Sequence, residues 1–441
     1  MNKIIKLTAI LFLIISVSSC KKYLDVEPVG KVIPTTVADF RALLNSGYSQ
    51  FPRHKSVLAF RTDELVLNND EPDAASFRDQ YQWNDENPDA NSKEMPYGEF
   101  YTSIFYANSV IADIENKAGK NTETAQIKGE AYMLRAYAYF ELLNVYAKVF
   151  DKNTAGTDRG VPISLVIDIE TNYKPASVDE VYKQIFSDLA AGQSLINADN
   201  FAAGLNYRFT KRAALALFAR IYQFRGDWSN ALKASQSALA INNQLEDLNA
   251  TAAVAPNNYL SKENIMSMED VFNSSTSRSS YMSAHLIGIY DQLNDKRFAL
   301  YFGKTFDGYV SKKGNDNAFK ISFRNGELYL IQAEAALQSG NLALAQQSLL
   351  ALKAKRYTPA YFVAEQSRVM TLNNDALMLD ILKEREKELA LEGHRWYDLK
   401  RYGQPELKHT VGGKEFTLAK NDPRYTIRFP QSAIIANPNL K

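Results

Sequence analysis

Apolar residues recur at every third or fourth position over long stretches of the chain, which is the spacing of one face of an α-helix. One such stripe begins at Pro96 and predicts a helix whose apolar face lies in the core. Its members are Tyr97, Phe100, Tyr101, Ile104, Phe105, Asn108 and Ile111. A second stripe predicts a helix from about Thr124 to Val149, whereas the strict alternation of a β-strand is scarce. The pattern therefore predicts a mainly α protein.

Polar and turn-forming residues interrupt this pattern in the first quarter of the chain. Residues 23–34 contain proline and glycine and are predicted to form an extended leader, followed by a short helix from Thr35 to Leu44. Residues 45–96 are mostly polar and rich in turn formers, so we predict an irregular loop there. Farther along, Ser177 and Glu180 have the spacing of a capping box and mark the start of another helix.

Two segments share the pattern of a tetratricopeptide helix pair, in which small residues let two antiparallel helices pack closely. The shared positions are Ala219, Gly226 and Ala231 in the first segment and Ala333, Gly340 and Ala345 in the second. Glycine suits the end of the first helix, and alanine permits a close approach of the two helix axes. Residues 243–325 intervene, so we predict divergent helix pairs with long loops and insertions. An ordinary α-hairpin is the alternative.

The first twenty residues have the order of an export signal. Two lysines precede an apolar run from Leu7 to Val17, and small residues then lead to Cys20. The run is too short to span a bilayer, which takes roughly 20 apolar residues. Cys20 is the only cysteine, and its position after the signal resembles a bacterial lipobox. We predict a signal peptide at residues 1–19 and lipidation of Cys20, with ordinary cleavage after Ser19 as the alternative.

Charge and composition narrow the classes of function. The chain has 441 residues, with 51 Lys and Arg against 50 Asp and Glu, so its net charge gives no attraction to nucleic acid. Tyrosine and phenylalanine are abundant and suit a recognition surface. The motifs of metalloproteases, serine hydrolases, dinucleotide-binding folds and phosphate loops are absent from the sequence. We therefore predict a protein that is not an enzyme and needs no cofactor or metal.

Several segments together resemble the SusD/RagB family of outer-membrane nutrient-binding lipoproteins, over nearly the whole mature chain. They are YLDVEP after the lipobox cysteine, FYTSIFYANSVI, GEAYMLRAYAYFELLNVYAKV leading to GVPI, ARIYQFRGDWSNAL, NDKRF, GELYLIQAEAALQSGN and ILKEREKELALEGHRWYDLKRYG. The last segment is the most specific. Its charged residues at helical spacing are Arg385, Glu388, Glu392 and Arg395. We interpret this stripe as a structural charge network in preference to a ligand site.

The resemblance implies a helical protein that is lipid-anchored at the outer membrane through Cys20 and sits on a SusC-like TonB-dependent transporter. Such a protein binds an oligosaccharide or another nutrient at the cell surface and delivers it to that transporter. Residues 20–242 and 243–441 would form its two regions within one compact unit. Lys21 and Lys22 follow the cysteine in place of an acidic run, which weakens the prediction of surface display. A tetratricopeptide-type lipoprotein scaffold in outer-membrane protein assembly is the alternative function.

Candidate ligand contacts are expected in polar loops, because a sugar stacks its apolar ring face on an aromatic side chain while its hydroxyls meet polar groups. Residues 78–84 combine Arg78, Tyr81 and Trp83 with amides and carboxylates in a predicted loop. Tyr281 lies in a second polar segment. We predict that these four residues contact the ligand. The alternative for Tyr81 and Trp83 is that they anchor their loop on the helices.

Two other kinds of site have only partial support in the sequence. Residues 85–91 alternate acidic and amide side chains like the first half of a calcium loop. However, Ala90 stands at the position of the turn glycine and Pro96 at that of the bidentate acid, so we predict a solvated turn. A glycoside hydrolase would need two carboxylates about 5 to 10 Å apart in a cleft, and it remains an alternative class.

Overall fold

Helices make up most of the structure, a computed structural model that describes residues 34–167, 170–314 and 316–441. The predicted signal peptide, Cys20 and the leader up to residue 33 lie outside these residues. In chain order the helices are α1 (Val37–Ser49), α2 (His54–Leu58), α3 (Ala74–Tyr81), α4 (Gly98–Ala118), α5 (Thr122–Tyr146), α6 (Val178–Leu195), α7 (Lys211–Arg225), α8 (Trp228–Ile241), α9 (Ser274–Arg278), α10 (Ala284–Gly288), α11 (Lys296–Tyr301), α12 (Asn325–Gln338), α13 (Leu342–Lys353), α14 (Pro359–Met370), α15 (Asn374–Glu388), α16 (Arg395–Arg401) and α17 (Gln431–Ala436). The prediction of a mainly α fold is confirmed.

Short antiparallel strand pairs connect these helices. The strands are β1 (Leu65–Leu67), β2 (Arg159–Pro162), β3 (Pro175–Ser177), β4 (Asn264–Met266), β5 (Ser280–Met282), β6 (Phe302–Lys304), β7 (Tyr309–Ser311), β8 (Phe323–Arg324), β9 (Leu407–Val411) and β10 (Lys414–Leu418). They pair as β1 with β5, β2 with β3, β4 with β8, β6 with β7 and β9 with β10. Within the described ranges, no helix is both long and apolar enough to cross a membrane.

The long helices lie where the apolar periodicity predicts them. Helix α4 begins at Gly98, just after Pro96, and α5 spans the second predicted stripe. Ser177 caps α6 by accepting a hydrogen bond from the N–H of Glu180. In return, the Glu180 carboxylate accepts from the N–H of Ser177 at 2.8 Å. The capping box is therefore confirmed.

Residues 45–96 do not form the irregular loop that their polar composition predicts. Helix α1 continues to Ser49, and α2, β1 and α3 all lie within this stretch. Phe60 and Phe77 are buried here and stack with their ring centroids 4.4 Å apart. Contacts made by a few apolar residues therefore order the segment and override its local preference for turns.

The apolar stripe of α4 is core only in part, contrary to the prediction. Phe100 is buried, but Tyr97 and Tyr101 are only partly buried and Phe105 keeps 36% of its surface exposed. These three partly exposed rings line an open groove of about 880 Å³, which the loop after β2 also borders. The stripe is therefore wider than the surface that the neighbouring helices cover.

Both predicted helix pairs are present, as α7 with α8 and α12 with α13. Gly226 and Gly340 lie between the helices of each pair with φ of +73° and +80°, the left-handed conformation that favours glycine. The alanines of the shared pattern are fully buried, and they are Ala219, Ala231, Ala333 and Ala345. Helix α8 also packs against α12, so the two pairs are neighbours in space.

The insertion between the pairs folds back on the N-terminal segment. Strand β5 pairs with β1 so that Tyr281 lies opposite Val66. Just beyond β1, the N–H of Asn68 donates to the carbonyl of Ser279 at 2.8 Å. Two irregular parts of the sequence, more than 200 residues apart, therefore build one surface together.

A buried charge network joins the insertion to the C-terminal helices, and its centre is Glu388 of α15. The donors to the Glu388 carboxylate are Arg297, Arg324 and Arg356, at 2.5 to 2.9 Å. At most 1% of any of these four side chains is exposed. Arg324 also binds Glu392 at 2.8 Å. Glu388 and Glu392 of the charged stripe therefore belong to a buried ion-pair network, which agrees with the structural interpretation of the sequence.

Candidate functional site

Tyr81 and Trp83 lie in the interior of the protein. Only 2% of the Tyr81 surface and 1% of the Trp83 surface are exposed. Both rings stack on the imidazole of His409, with centroids 3.9 and 4.2 Å away respectively. A ring that is covered in this way offers no free face to a sugar.

Hydrogen bonds hold this stack in place. The indole Nε1 of Trp83 donates to the carbonyl of Arg61 at 3.0 Å. The two ring nitrogens of His409 lie 2.7 Å from the carbonyl of Tyr81 and 2.9 Å from that of Thr62. The structure thus corrects the prediction of an exposed platform at residues 81 and 83. It favours the alternative, in which both rings anchor their segment in the core.

Arg78 and Tyr281 lie at the surface that β1 and β5 share. Arg78 is exposed on α3, and its guanidinium donates to the side-chain carbonyl of Asn69 at 3.0 Å. Tyr281 is half-buried in β5, opposite Val66, which keeps 39% of its surface exposed. The structure therefore brings these two predicted site residues to the same part of the molecule.

An ion pair ties the loop before α3 to helix α9. Arg278 donates to the carboxylate of Asp73 at 2.8 Å, and the hydroxyl of Ser275 donates to the same carboxylate at 2.8 Å. These hydrogen bonds, that of Ser275 first, lower the pKa of Asp73. The carboxylate therefore stays ionised at neutral pH and accepts hydrogen bonds at this edge of the surface.

The hairpin formed by β6 and β7 supplies an aromatic side chain that the sequence analysis missed. Its turn closes where the N–H of Thr305 donates to the carbonyl of Gly308 at 2.8 Å. Phe306 at the tip is completely exposed. Gly308 lies directly against the ring of Tyr281, since a Cβ atom there would be 3.5 Å from Tyr281 Cδ1. The Asp-Gly pair at 307–308 is a hairpin signal that indicates the turn, although not the exposure of the ring beside it.

We name this surface the tyrosine face. Its members are Val66, Arg78, Arg278, Tyr281, Phe306 and Asp307. Partial desolvation raises the pKa of the Tyr281 hydroxyl, and the carboxylates of Asp307, Asp70 and Glu71 raise it further. The hydroxyl therefore stays protonated and can donate a hydrogen bond. The face combines aromatic surface with donors and acceptors, an arrangement that suits binding.

A cluster of charged groups lies next to β5. The imidazole Nε2 of His285 is 2.5 Å from Glu386 and 3.5 Å from Asp63. The hydrogen bond to Glu386, which outweighs the opposing effect of burial, raises the pKa of His285. Arg395 binds both carboxylates, at 2.6 Å for Asp63 and 3.1 Å for Glu386. Asp63, His285 and Glu386 lie close enough together to hold a metal ion, but the guanidinium of Arg395 already neutralises the two carboxylates.

A second cluster of this kind is buried, and it has its own counter-charge. It consists of His54, Glu141 and Glu269. The ammonium group of Lys55 lies 2.8 Å from Glu269 and 3.5 Å from Glu141. This cation already compensates the two carboxylates, so the cluster fits an internal ion-pair network better than a metal centre.

The partial calcium pattern is also explained by ion pairing. Both carboxylate oxygens of Asp85 accept hydrogen bonds from Arg61, at 2.7 and 2.9 Å. One carboxylate oxygen of Asp89 accepts from the backbone and side chain of Asn91. The carboxylates of Asp85 and Asp89 are thus engaged within the protein, while residues 86–91 are exposed, as expected of a solvated turn.

Comparison with known families identifies the class of this protein. A family profile described as "Starch-binding associating with outer membrane" matches residues 22–223, and the profile described as "SusD family" matches residues 219–438. The two matches together span almost the whole chain after the predicted signal peptide. The chain belongs to the SusD/RagB family.

Individual proteins resemble it at low sequence identity. SusD-like protein P38 of Formosa agariphila is 24% identical, over 87% of this chain and 88% of that protein. A SusD-like carbohydrate binding protein from Bacteroides vulgatus has a similar structure, with a TM-score of 0.72, 20% identity and coverage of 92% of this chain and 97% of the other. A laminarin binding SusD-like protein matches with a TM-score of 0.62, 18% identity and coverage of 83% and 91%. These structural likenesses establish the shared fold.

Proposed function

We propose that this protein is an outer-membrane lipoprotein that binds an oligosaccharide or another nutrient and delivers it to a SusC-like TonB-dependent transporter. The tyrosine face is the observation that carries this proposal. Phe306 is fully exposed, and a ligand that covers its ring would remove apolar surface from water. Tyr281 and the two arginines supply the hydrogen bonds that a sugar hydroxyl requires.

A glycan is the ligand class that we favour. Two structures that resemble this chain are described as carbohydrate-binding and laminarin-binding proteins, which supports this class. The open geometry of the tyrosine face agrees with it, because an extended sugar chain can lie across a surface without entering a deep cleft.

We further propose that the protein binds its ligand without cleaving it. A glycosidase needs one carboxylic acid with a raised pKa to protonate the leaving group. At the edge of the tyrosine face, the Asp73 carboxylate is held by Ser275 and Arg278, and its pKa is lowered. This environment suits a hydrogen-bond acceptor and opposes a general acid.

The binding proposal is tested by removing the exposed ring. Phe306→Ala and Tyr281→Ala are titrated by calorimetry with laminarin and with a panel of soluble plant and algal polysaccharides. We expect each variant to bind about five- to tenfold more weakly, the loss of one stacking contact. Leu293→Ala is the matched control, since it removes another exposed apolar side chain outside the face. If both aromatic variants bind every tested polysaccharide as the parent does, the tyrosine face is not the ligand site.

The anchoring proposal is tested by Cys20→Ala. The cysteine follows an export-type segment and is the only one in the chain. A lipoprotein cysteine carries more than one acyl chain, which is what stable anchoring requires. The variant should therefore move from the membrane fraction to the soluble fraction. Retention in the membrane after high-salt and carbonate washes would contradict lipid anchoring at this residue.

The transporter proposal is tested in the native cells. The tagged protein is purified from membranes that are solubilised in a mild detergent, and its partners are identified by mass spectrometry. A TonB-dependent transporter in near-equal amount supports delivery to such a channel. Recovery of the lipoprotein alone, under conditions that preserve other outer-membrane complexes, contradicts it.

A further inference from the structure

A concave site lies apart from the residues of the tyrosine face. It is a pocket of about 640 Å³, which is within the range of roughly 300 to 1,000 Å³ that is common for small-molecule sites. Four separate parts of the chain line it: the end of α1, the loop before α7, the residues around β4 and the turn at 317–319. We name it the amide pocket, and its main members are Asn45, Asn206, Tyr207, Tyr259, Asn317 and Lys320.

One wall of the amide pocket is a tyrosine that the protein holds firmly. The hydroxyl of Tyr207 donates to the side-chain carbonyl of Asn45 at 3.2 Å. The Tyr207 ring meets the ring of Tyr48 edge to face, with centroids 5.4 Å apart. The guanidinium of Arg208 lies over the Tyr207 ring at 5.4 Å. These contacts fix the orientation of Tyr207 before any ligand arrives.

A second tyrosine is positioned through its backbone only. The N–H of Tyr259 donates to the carbonyl of Ala318 at 2.8 Å, which ties this residue to the turn at 317–319. Its side chain keeps 38% of its surface exposed. In the described part of the chain, no other aromatic ring packs on Tyr259 and no cation lies over it. Its ring is therefore available as a stacking platform.

The polar groups of the pocket have unused hydrogen-bonding capacity. Among the described residues, the side chains of Asn206, Tyr259, Asn317 and Lys320 have no hydrogen-bond partner. Two amides and one hydroxyl can each donate and accept, and the ammonium group can only donate. Asn206 and Lys320 are half-buried, whereas Tyr259 and Asn317 are exposed, so all four side chains are accessible to a ligand.

We infer that the amide pocket binds a neutral sugar residue, as a second glycan subsite of the same chain. A pyranose ring matches this lining because its apolar face can stack on Tyr259 while its hydroxyls meet the amides of Asn206 and Asn317. The charge argues against an anionic ligand. Among the described residues that line the pocket, Lys320 is the one cation and Asp316 the one carboxylate.

This inference rests on the proposed function, since a glycan must be the ligand of the protein. Two subsites on one chain would bind a polysaccharide at two points. The second contact then forms at a high effective concentration, so a long glycan binds more tightly than a short one. The amide pocket would thus select for chain length, while the tyrosine face provides the first contact.

The test uses the chain without its signal peptide and lipid, and variants at each subsite. The probes are laminarin and neutral gluco-, manno-, galacto- and xylo-oligosaccharides of two to six units, titrated by calorimetry and ligand-observed NMR. Tyr259→Ala and Asn317→Ala remove the platform and one amide. Leu260→Ala is the matched control, because Leu260 is the next residue, is 68% exposed and does not line the pocket. Thermal melting verifies that each variant is folded, and Tyr259→Phe retains the ring if Tyr259→Ala is unstable.

We expect at least one oligosaccharide whose dissociation constant rises about fivefold or more in Tyr259→Ala and in Asn317→Ala, and not in Leu260→Ala. We also expect the ratio of long-chain to short-chain affinity to fall in both pocket variants. If sugars bind and respond to Phe306→Ala but not to Tyr259→Ala or Asn317→Ala, the second subsite is wrong and the proposed function stands. If no probe binds the parent protein, both proposals fail together.

Discussion

The charge network around Glu388 and the tyrosine face contain the same kinds of charged residue in opposite surroundings. In the network, Glu388 receives three arginines and is fully buried. On the face, Arg278 pairs with Asp73 while 56% and 42% of the two side chains are exposed. Only the exposed arginine can exchange its protein partner for a ligand without leaving a buried charge unpaired. Burial, and not residue type, therefore distinguishes charges that hold the fold together from charges that are accessible to a ligand.

The surroundings of Glu388 favour its ionised form and leave little free space around its carboxylate. Burial acts to raise the pKa of Glu388, but Arg356, Arg324 and Arg297 outweigh it and hold the pKa well below its ordinary range. The space around it is also filled. A Cβ atom on Gly326 would lie 2.5 Å from Glu388 Oε1, so any larger residue at that position would displace this carboxylate. The network thus fixes the relative positions of α11, α12 and α15.

Glu388→Ala removes the central carboxylate of the buried network and should have the greatest effect on stability. It leaves Arg297, Arg324 and Arg356 buried with too few carboxylates, and we expect a loss of about 3 to 5 kcal/mol in the free energy of unfolding. Glu415→Ala is the control, because it breaks the exposed pair with Lys408, for which about 0 to 1 kcal/mol is expected. Urea unfolding measures both. Equal losses in the two variants would show that burial does not separate the two kinds of charge.

Trp83→Ala tests whether this residue belongs to the interior or to the binding surface. It removes a buried ring from the stack with His409 and the hydrogen bond to Arg61, and we expect a loss of about 3 kcal/mol or slightly more. Phe306→Ala should change stability by less than about 0.5 kcal/mol, because the ring is fully exposed. Melting curves and ligand titrations on both variants separate the roles. A stable Trp83→Ala variant with weakened binding would reverse our placement of this residue.

Ala231→Leu tests whether close packing of uncharged side chains also stabilises the interior. Ala231 is fully buried in α8, so the extra atoms should overpack the core and destabilise the protein by about 1 to 3 kcal/mol. Ala240→Leu in the same helix is the matched control, because Ala240 is exposed. The melting temperature of each variant is compared with that of the parent. An unchanged value for Ala231→Leu would contradict close helix packing at this position.

Glu64 contacts residues next to the tyrosine face and next to the charge network. Its substitution should change stability less than the substitutions of other buried residues above. Its backbone carbonyl accepts from Ser283, next to β5, and its carboxylate accepts from the N–H of Leu391 at 3.0 Å. Burial, partly offset by that hydrogen bond, raises the pKa of Glu64 to about 8. Because the folded state holds this proton more tightly than the unfolded chain, its contribution to stability is complete in acid. That contribution declines as the pH rises from about 4.5 to about 8.

Glu64→Gln removes this titration while it keeps an oxygen for the N–H of Leu391. Relative to the parent, the variant should therefore gain stability between pH 5 and pH 9, on the order of 1 to 2 kcal/mol after local relaxation. Unfolding in urea at several pH values measures this gain. Parallel pH profiles of variant and parent would show that Glu64 ionises in the folded protein as it does in the unfolded chain.

Local sequence patterns were sufficient to predict the long helices of this fold. Helices α4 and α5, the capping box at Ser177 and both helix pairs could be predicted because their signals lie within a few residues of one another. The burial of Tyr81 and Trp83 could not, because it depends on His409. That residue is 328 positions after Tyr81 and reaches it only through the hairpin of β9 and β10. The sequence of residues 78–84 is both aromatic and polar, and only the contact with His409 determines that the rings of Tyr81 and Trp83 are covered.

The candidate site was predictable only in part for the same reason. Arg78 and Tyr281 could be proposed as polar-loop residues, but their common surface depends on the pairing of β1 with β5, which no local pattern predicts. Phe306 was missed although an Asp-Gly pair follows it, because one turn signal does not reveal which ring stays exposed. The amide pocket is formed by four separate parts of the chain, so no local pattern predicts it.

The separation of the two helix pairs in the sequence has a consequence for the kinetics of folding. In a tandem repeat array, each unit docks on the one before it, and folding spreads between neighbours. Here α8 ends at Ile241 and its partner α12 begins at Asn325, with residues 242–324 between them. Closing a loop of that length costs roughly 2 to 3 kcal/mol more in chain entropy than closing a turn of four residues. The contact between the pairs should therefore form late, after each pair and the insertion have acquired structure, and folding should be slower than in a continuous helical array.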